Sequence, residues 1–420
     1  MKARGLWLFV AGVTLLKGAV ALLFFRDVRI WEDAEAAVNL LKTGTLSYPS
    51  YGVIDHTGQF PMYAGLVALF YAVFGLHPRA VIGLNLLLGA ASAWVLYLLF
   101  QQAFDRLEMP ESWRRHRDAV VAMGVCAFAL HPAISYYAII NLHPFPLDAL
   151  MLYVTLLYVY RATGDAAGSR PDVALGVSLG LALLTRTTLG VAMIPFIVMT
   201  QRSAGLLATA RRSAVVIGIA LAVGTPWLIR NYEADHIVGY KSGAAEFLWR
   251  GALPTSDGGG TLTNGAPYQS VLTDTDLGEL AHLDVRGQDH WFMKRYTDEV
   301  REDPLRTLGL YGRKLENFFW FRNGIGSDYE SSARRWLPVY ELMYAAVLCG
   351  ALLSLVWLGR SSFPLWSVIV SLGFLQSIFY VETRHRMIIE PLLAFLATVP
   401  VPAAFERGRE WLRVGPDASG

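Results

Sequence analysis

Apolar runs long enough to span a bilayer recur along nearly the whole chain, and nothing else narrows its possible folds so far. About ten segments qualify, at 6–25, 81–104, 119–139, 146–161, 172–185, 188–201, 213–229, 337–358, 362–381 and 387–405. A backbone inside lipid must satisfy its own N–H and C=O groups, and continuous apolar runs of this kind do so as helices. The expected fold is therefore all-α, integral to the membrane, with about ten transmembrane helices. A hydrophobic share of 54% against 17% charged residues agrees with that class and argues against a soluble enzyme. The formal charge of +2 offers no basic field for nucleic acid. Cys126 and Cys349 both lie inside apolar runs, which supports neither a disulfide framework nor a cysteine metal site.

Lys2 and Arg4 lead into an apolar stretch reaching Phe25, too long for a signal-peptide core and without a small-residue cleavage site, so a retained first helix is expected. The segments 172–185 and 188–201 are short and joined by Thr185-Arg186-Thr187. They predict half-length helices lining a cavity, with one long bent helix as the alternative. Lys and Arg in the short connections gather on one side of this arrangement, which the positive-inside bias makes cytoplasmic. The pattern holds only if 62–76, with Pro61 before it and Gly75 within its end, is a juxtamembrane helix rather than a span. Both termini are then cytoplasmic, in a multi-pass protein of the plasma (inner) membrane.

A single membrane domain is expected over 1–405, with outer loops at 26–80 and 231–336 and a short cytoplasmic tail at 406–420. Loops of that length usually carry function. The second contains a Gly258-Gly259-Gly260 turn and an amphipathic stretch, 304–322. Its Arg313/Lys314 and Phe318-Phe319-Trp320-Phe321 suit a helix lying at the membrane surface.

Candidate functional residues collect on the outer side. Arg384-His385-Arg386 is wedged between the apolar segments 363–381 and 387–405. Ionisable groups so placed usually meet a polar cavity or ligand, and guanidinium matches phosphate, so a phosphate-bearing lipid is the natural guest. The plainer alternative is a pair of cations flanking a helix end. The first outer loop begins a helix in which Ala36, Ala37, Leu40 and Leu41 recur at helical spacing and Gly44 is the stop, with Glu32 and Asp33 at its N-terminal end. Either acid suits a base that activates an acceptor, and neighbours on a helix diverge by about 100°, so one of the two should face the reaction. His56, His143, Arg186 and Arg230 reach the same side and are candidates for substrate binding.

The order of these motifs carries a resemblance. An acidic pair follows the first helix, then come Pro61-Met62-Tyr63 and Phe74-Gly75, Gly180-Leu181-Ala182-Leu183-Leu184-Thr185-Arg186, Pro226-Trp227-Leu228-Ile229-Arg230-Asn231-Tyr232, and Arg384-His385-Arg386-Met387-Ile388-Ile389-Glu390-Pro391. The chain resembles the GT-C superfamily of integral-membrane glycosyltransferases over nearly its whole length. It is most similar to bacterial members of the family-39 type, relatives of protein O-mannosyltransferases and lipid A aminoarabinose transferases. The resemblance implies a polytopic GT-C fold with juxtamembrane helices in the first outer loop, a polyprenyl-phosphate sugar donor, an outer-face active site and inversion at the anomeric carbon. It implies that Glu32 or Asp33 is the catalytic carboxylate, the distance to Ala37-Val38-Asn39-Leu40 slightly favouring Glu32 while Asp33 is equally fit chemically, and that Arg384, Arg386 and one of Arg186 or Arg230 hold the donor phosphate. With arginines supplying the charge, no metal and no cofactor are expected. The chain departs from such relatives at Gln59-Phe60-Pro61, where a Pro-Pro or Lys-Pro pair is common, and in lacking their soluble domain. The acceptor therefore stays open among glycan, lipid and protein.

Two other classes compete with a transferase. A transporter or lipid flippase would also use buried arginines and broken helices, with its key charges near mid-membrane, and an assembly scaffold would need no converging charges.

Overall fold

A computed structural model describes residues 3–24, 31–109, 111–164, 169–321 and 335–401. The expected tail at 406–420, the loop start at 26–30 and the stretch 322–334 lie outside the described residues. Helices dominate, and the one described sheet is a short antiparallel hairpin of Tyr48–Ser50 with Val53–Asp55.

Four described segments are long and apolar enough to span by themselves: Arg4–Phe24, Pro78–Asp105, Thr187–Asp235 and Leu337–Gln376. A fifth is the pair Arg117–Leu130 and Pro132–Ile139, bent by 44° where Pro132 brings no backbone donor. These helices make the chain a multi-pass membrane protein. Other segments expected to cross are shorter: Ser169–Leu183 has 15 residues, Phe363–Gln376 has 14 and Glu390–Thr398 has 9. Phe145–Ala162 reaches 18 residues and carries Asp148 and Arg161.

Two of the long segments fold back on themselves. Met193–Asp235 is interrupted at Gly205, whose φ of 80° and ψ of 175° leave the helical region in a way that glycine tolerates. On one side of this break Arg186 pairs with Asp148, near the start of Phe145–Ala162. On the other side Arg212 reaches the carbonyl of Ala162 at the end of that helix, roughly 20 Å away along its axis. Arg230 then returns to the first end, donating to the carbonyls of Leu46 and His56. Leu337–Gln376 reverses around Gly359, bringing Trp366 Nε1 to 3.4 Å from Ser354 Oγ. Each of these segments is thus a pair of antiparallel arms, as the separate runs in the sequence predict.

The break expected at Thr185-Arg186-Thr187 is present, between Ser169–Leu183 and a 3-10 turn at Thr187–Ala192. The membrane core is apolar and interlocked, with Phe100 stacked on Phe395 at 4.3 Å. Glu390–Thr398 packs against Leu337–Leu358 and Arg117–Leu130.

The segments expected from the sequence to face outward sit together at one end of these helices, and they keep the names first and second outer loop. Glu32–Thr43 ends at Gly44 as expected, although its buried face is Ala34, Ala36 and Ala37 while Leu41 is exposed. Pro61–Phe74 is a 14-residue apolar helix with Leu69, Val73 and Phe74 exposed, too short to span and suited to the interface. The second outer loop contributes Ala244–Arg250, Asp274–His282, Val285–Glu302 and Pro304–Phe319. It has a core of its own around Trp249, Leu253, Tyr268, Leu280 and Phe292. The last of its helices is two-faced, with Leu305, Leu308, Arg313 and, at its end, Trp320 exposed on one side, as a surface helix would have, and a buried face on the other. Lys314 is buried and bonds the carbonyl of Ile378, and Phe318 and Phe321 are buried too, because this helix packs across the end of Phe363–Gln376.

Candidate active site

A cavity of about 590 Å³ lies between the helix ends and the outer segments. Glu32, Asp33, His143, Arg186 and Arg384, all expected from the sequence, line it together. Three local features bring them there. The acids open the Glu32–Thr43 helix, Arg186 sits in the break after Leu183, and Arg384 occupies a 3-10 turn, Thr383–Arg386, between two apolar helices.

Asp33 is the more buried of the two acids, while Glu32 is exposed. Burial pushes the Asp33 carboxyl up to about 7, against the opposing pull of the Lys241 and Arg186 charges. A carboxylate poised near neutrality is matched to taking a proton at physiological pH. Arg186 is held by Asp148 at 2.6 Å and lies over the Phe145 ring, on which His143 stacks at 4.1 Å. His143 and His385 are both kept well below the usual histidine range, first by burial and then by neighbouring arginines, Arg384 foremost. They are neutral imidazoles in a cationic wall, and His143 Nδ1 is buried without a hydrogen-bond partner. The Arg384 guanidinium lies 5.7 Å over the ring of Trp31, whose Nε1 donates to Asn141 at 2.5 Å.

Three expected site residues are not among those lining the cavity. Arg386 is fully buried and turned inward. It bonds Glu390 Oε1 at 2.9 Å and the carbonyl of Trp320, and packs over the rings of Phe321 and Tyr344. Glu390 in turn binds His131 and Tyr340. In a tight 3-10 turn alternate side chains leave in different directions, so Arg384 and Arg386 cannot share one phosphate as an adjacent clamp. His56 bonds Asp235 through its backbone N–H and its ring, and Arg230 caps the carbonyls of His56 and Leu46. Those two residues brace the first outer loop against the end of the Met193–Asp235 helix.

Sequence reasoning missed the contribution of the second outer loop. Lys241 lies near the rings of Phe60 and Phe247, and Arg250 is sandwiched between Tyr268 at 4.1 Å and Tyr380 at 4.0 Å. Arg250 also donates to the carbonyl of Gly260, whose N–H bonds Glu382 Oε1 at 2.5 Å. A Cβ at Gly260 would collide with both Glu382 and Arg250, so the glycine turn noticed in the sequence is what lets the loop join the Arg384 turn. Glu246, Tyr268 and Tyr51 complete this wall. No motif marked these residues, although Lys241, Glu246, Phe247, Trp249 and Arg250 fall within ten positions.

Among the described residues no group of three or more His, Cys, Asp or Glu is arranged to hold a metal ion. An Asp-x-Asp pair occurs at Asp274 and Asp276, but Asp276 accepts from Thr273 and Arg295 at a helix start outside the cavity lining.

No family model matches the sequence, and no curated protein matches it. Among solved structures, the fold is similar to that of the Archaeoglobus fulgidus oligosaccharyltransferase, solved in complex with Zn and sulfate. The TM-score is 0.53 at 12% identity, over 95% of this chain and 50% of that one, so this chain spans half that length. ArnT from Cupriavidus metallidurans, bound to undecaprenyl phosphate, matches at a TM-score of 0.41 and 15% identity, over 97% of this chain and 79% of that one. Its apo form matches at 0.41 and 14%, over 96% and 79%. The likeness to the oligosaccharyltransferase is one of fold, and that fold is the polytopic, all-helical membrane architecture expected from the sequence.

Proposed function

We propose that this GT-C chain is a glycosyltransferase that moves a sugar from a polyprenyl-phosphate-linked donor to an acceptor at the outer face of the membrane. Fold alone does not assign an activity. The observation that carries the reading is the meeting of Asp33 with Arg186, Lys241 and Arg384 in one cavity at the end of the membrane helices. A transporter would hold such charges near mid-membrane, whereas here they gather under outer segments that have their own core.

In this reading the donor phosphate lies against Arg384 and Arg186. An apolar groove of about 560 Å³, walled by Met62, Leu184, Val223 and Trp227, opens next to the cavity and takes the start of the prenyl chain. Asp33 accepts the proton of the acceptor hydroxyl or amine as that atom bonds the anomeric carbon. The bond from carbon to phosphate oxygen breaks, and its electron pair stays on the phosphate, where the cations stabilise the growing charge. Attack from the face opposite the phosphate inverts the anomeric centre. The donor sugar is a hexose or a pentose. Arg106, Arg117, Arg202 and Arg212 at the other helix end face the cytoplasm of the inner (plasma) membrane by the positive-inside rule, with both termini on that side.

The test is to incubate purified protein with a panel of polyprenyl-phosphate sugars and membrane extract as acceptor source, and to assay released polyprenyl phosphate. Release from at least one donor, lost in Asp33→Asn, is expected. Release from none, or release unaffected by that substitution, removes the reading.

A further inference from the structure

Two sets of residues line the cavity, and they differ in chemistry. The membrane-side end carries Asp33, Arg186 and Arg384 and adjoins the apolar groove. The outer end is built by the second outer loop and the Tyr48–Ser50/Val53–Asp55 hairpin. There the Tyr51 and Tyr268 hydroxyls both donate to Glu246 Oε1, at 2.6 and 2.5 Å. Burial and the Glu246 charge raise both phenols, so they remain donors at any physiological pH. Two bonds to one oxygen lock the carboxylate and leave Oε2 outside both of them. Tyr51 packs at 5.5 Å from Phe292, and Arg250 is fixed between two rings.

We propose that this outer end, centred on Glu246, Arg250, Tyr51 and Tyr268, is the acceptor subsite and that it takes a sugar ring of a glycan. The inference rests on the transferase reading of the same cavity. A pyranose has a flat face of C–H bonds that packs on the negative face of an aromatic ring, and vicinal hydroxyls that pair with planar carboxylate and guanidinium groups. At the outer end the Glu246 carboxylate keeps Oε2 outside its two phenol bonds, and the rings of Tyr51, Phe247 and Phe292 line the cavity, held by packing and hydrogen bonds as a binding site needs. A lipid acceptor would need an apolar wall there, and the cavity residues around Glu246 are instead polar, charged and aromatic. A peptide acceptor would use an unpaired strand edge or a row of side-chain pockets. The short hairpin is instead packed against the second outer loop, with Gly52 seated against Ala281.

The experiment uses the full chain in lipid nanodiscs, probed on one array carrying defined oligosaccharides and serine- and threonine-containing peptides, with wild type, Glu246→Gln, Tyr268→Phe and Glu35→Gln compared. Glu246→Gln keeps an acceptor for both phenols, so the fold is retained while the charge is lost. Binding to a subset of oligosaccharides is expected, weakened about tenfold in Glu246→Gln, the scale of one hydrogen bond to a charged group. Tyr268→Phe should weaken it less, and Glu35→Gln, on the exposed side of its helix, should leave it unchanged. Binding to peptides alone, binding to nothing on the array, or oligosaccharide binding indifferent to Glu246 overturns the inference. Release of polyprenyl phosphate is measured in parallel. Release without glycan binding sinks the subsite and leaves the transferase. Glycan binding through Glu246 without release from any donor sinks the transferase and leaves a glycan-binding site.

Discussion

The two ends of the helix bundle use the same residue types for opposite purposes. At the end away from the cavity, Arg212 grips both oxygens of Asp172 at 2.6 and 2.8 Å and Arg117 both oxygens of Asp105 at 2.6 and 2.7 Å. Arg202 caps the carbonyl of Arg360. There the guanidinium forks close helix ends against their own carboxylates and carbonyls. At the cavity end, Lys241, Arg250 and Arg384 lie against aromatic rings, and Asp33 stands among them without a two-pronged partner. Charges quenched by matched partners stabilise. Charges that line a shared space, even where each also has a partner such as Gly260 for Arg250 or Asp148 for Arg186, add to the field met by something that enters it. Arg384 and Arg386, two residues apart, face different surroundings within a single turn, the first lining the cavity over Trp31 and the second buried against Glu390.

Asp33→Asn should give the largest effect if the division is right. An amide cannot take the acceptor's proton, so turnover should fall by about 10²–10⁴-fold while the fold is kept. Glu32→Gln should cost far less, because Glu32 is the exposed member of the pair. The same base predicts a pH profile. Its active form is the deprotonated one, so kcat/KM should climb through acid pH and level off above about 7, the value to which burial raises Asp33. A profile flat from about pH 5 to 8 would put the base elsewhere.

Next in size is Arg386→Ala. It strands the Glu390 carboxylate in the interior, and breaking a buried pair costs about 3–5 kcal/mol, read as early unfolding in detergent. Donor binding by the folded fraction should be near normal. A stable Arg386→Ala that fails only in donor binding would return that residue to the phosphate.

Arg384→Lys should behave in the opposite way. Stability should hold, while the loss of the planar fork should lower kcat/KM for the donor by about tenfold. Equal donor use by wild type and variant would leave Arg384 without a part in phosphate recognition.

Arg117→Ala, at the far end, should be the smallest. Its pair with Asp105 is partly exposed, so a loss of about 0.2–1 kcal/mol in stability and no change in donor use are expected. A large fall in activity there would break the contrast between the two ends.

Much of this was legible in the chain itself, for identifiable reasons. Local conformation is written in local sequence, so the apolar runs, the Gly44 stop, the break before Arg186 and the short Pro61–Phe74 helix could all be placed in advance. The acids that begin the first outer helix and Arg384 could be nominated because ionisable groups beside lipid are costly and need a reason to be there. The same rule could not separate Arg384 from Arg386, since both satisfy it and only the rotation of a 3-10 turn tells them apart. His56 was nominated for its chemistry, and its bond to Asp235 joins residues 179 positions apart.

The second outer loop marks the boundary between what the sequence by itself determined and what only the tertiary structure decided. Composition and the length of apolar runs determined the membrane class, the helical fold and which end of the helices holds the unusual charges, because lipid imposes one strict demand on every residue it touches. Lys241, Glu246, Arg250 and Tyr268 lie outside lipid, in a segment whose polar residues carry no such demand. Their convergence on Asp33, roughly 210–235 positions earlier in the chain, comes from long-range packing. The choice of Asp33 over Glu32 has the same origin. Both are acids at a helix start, and only the elements folded over them decide which one loses its water.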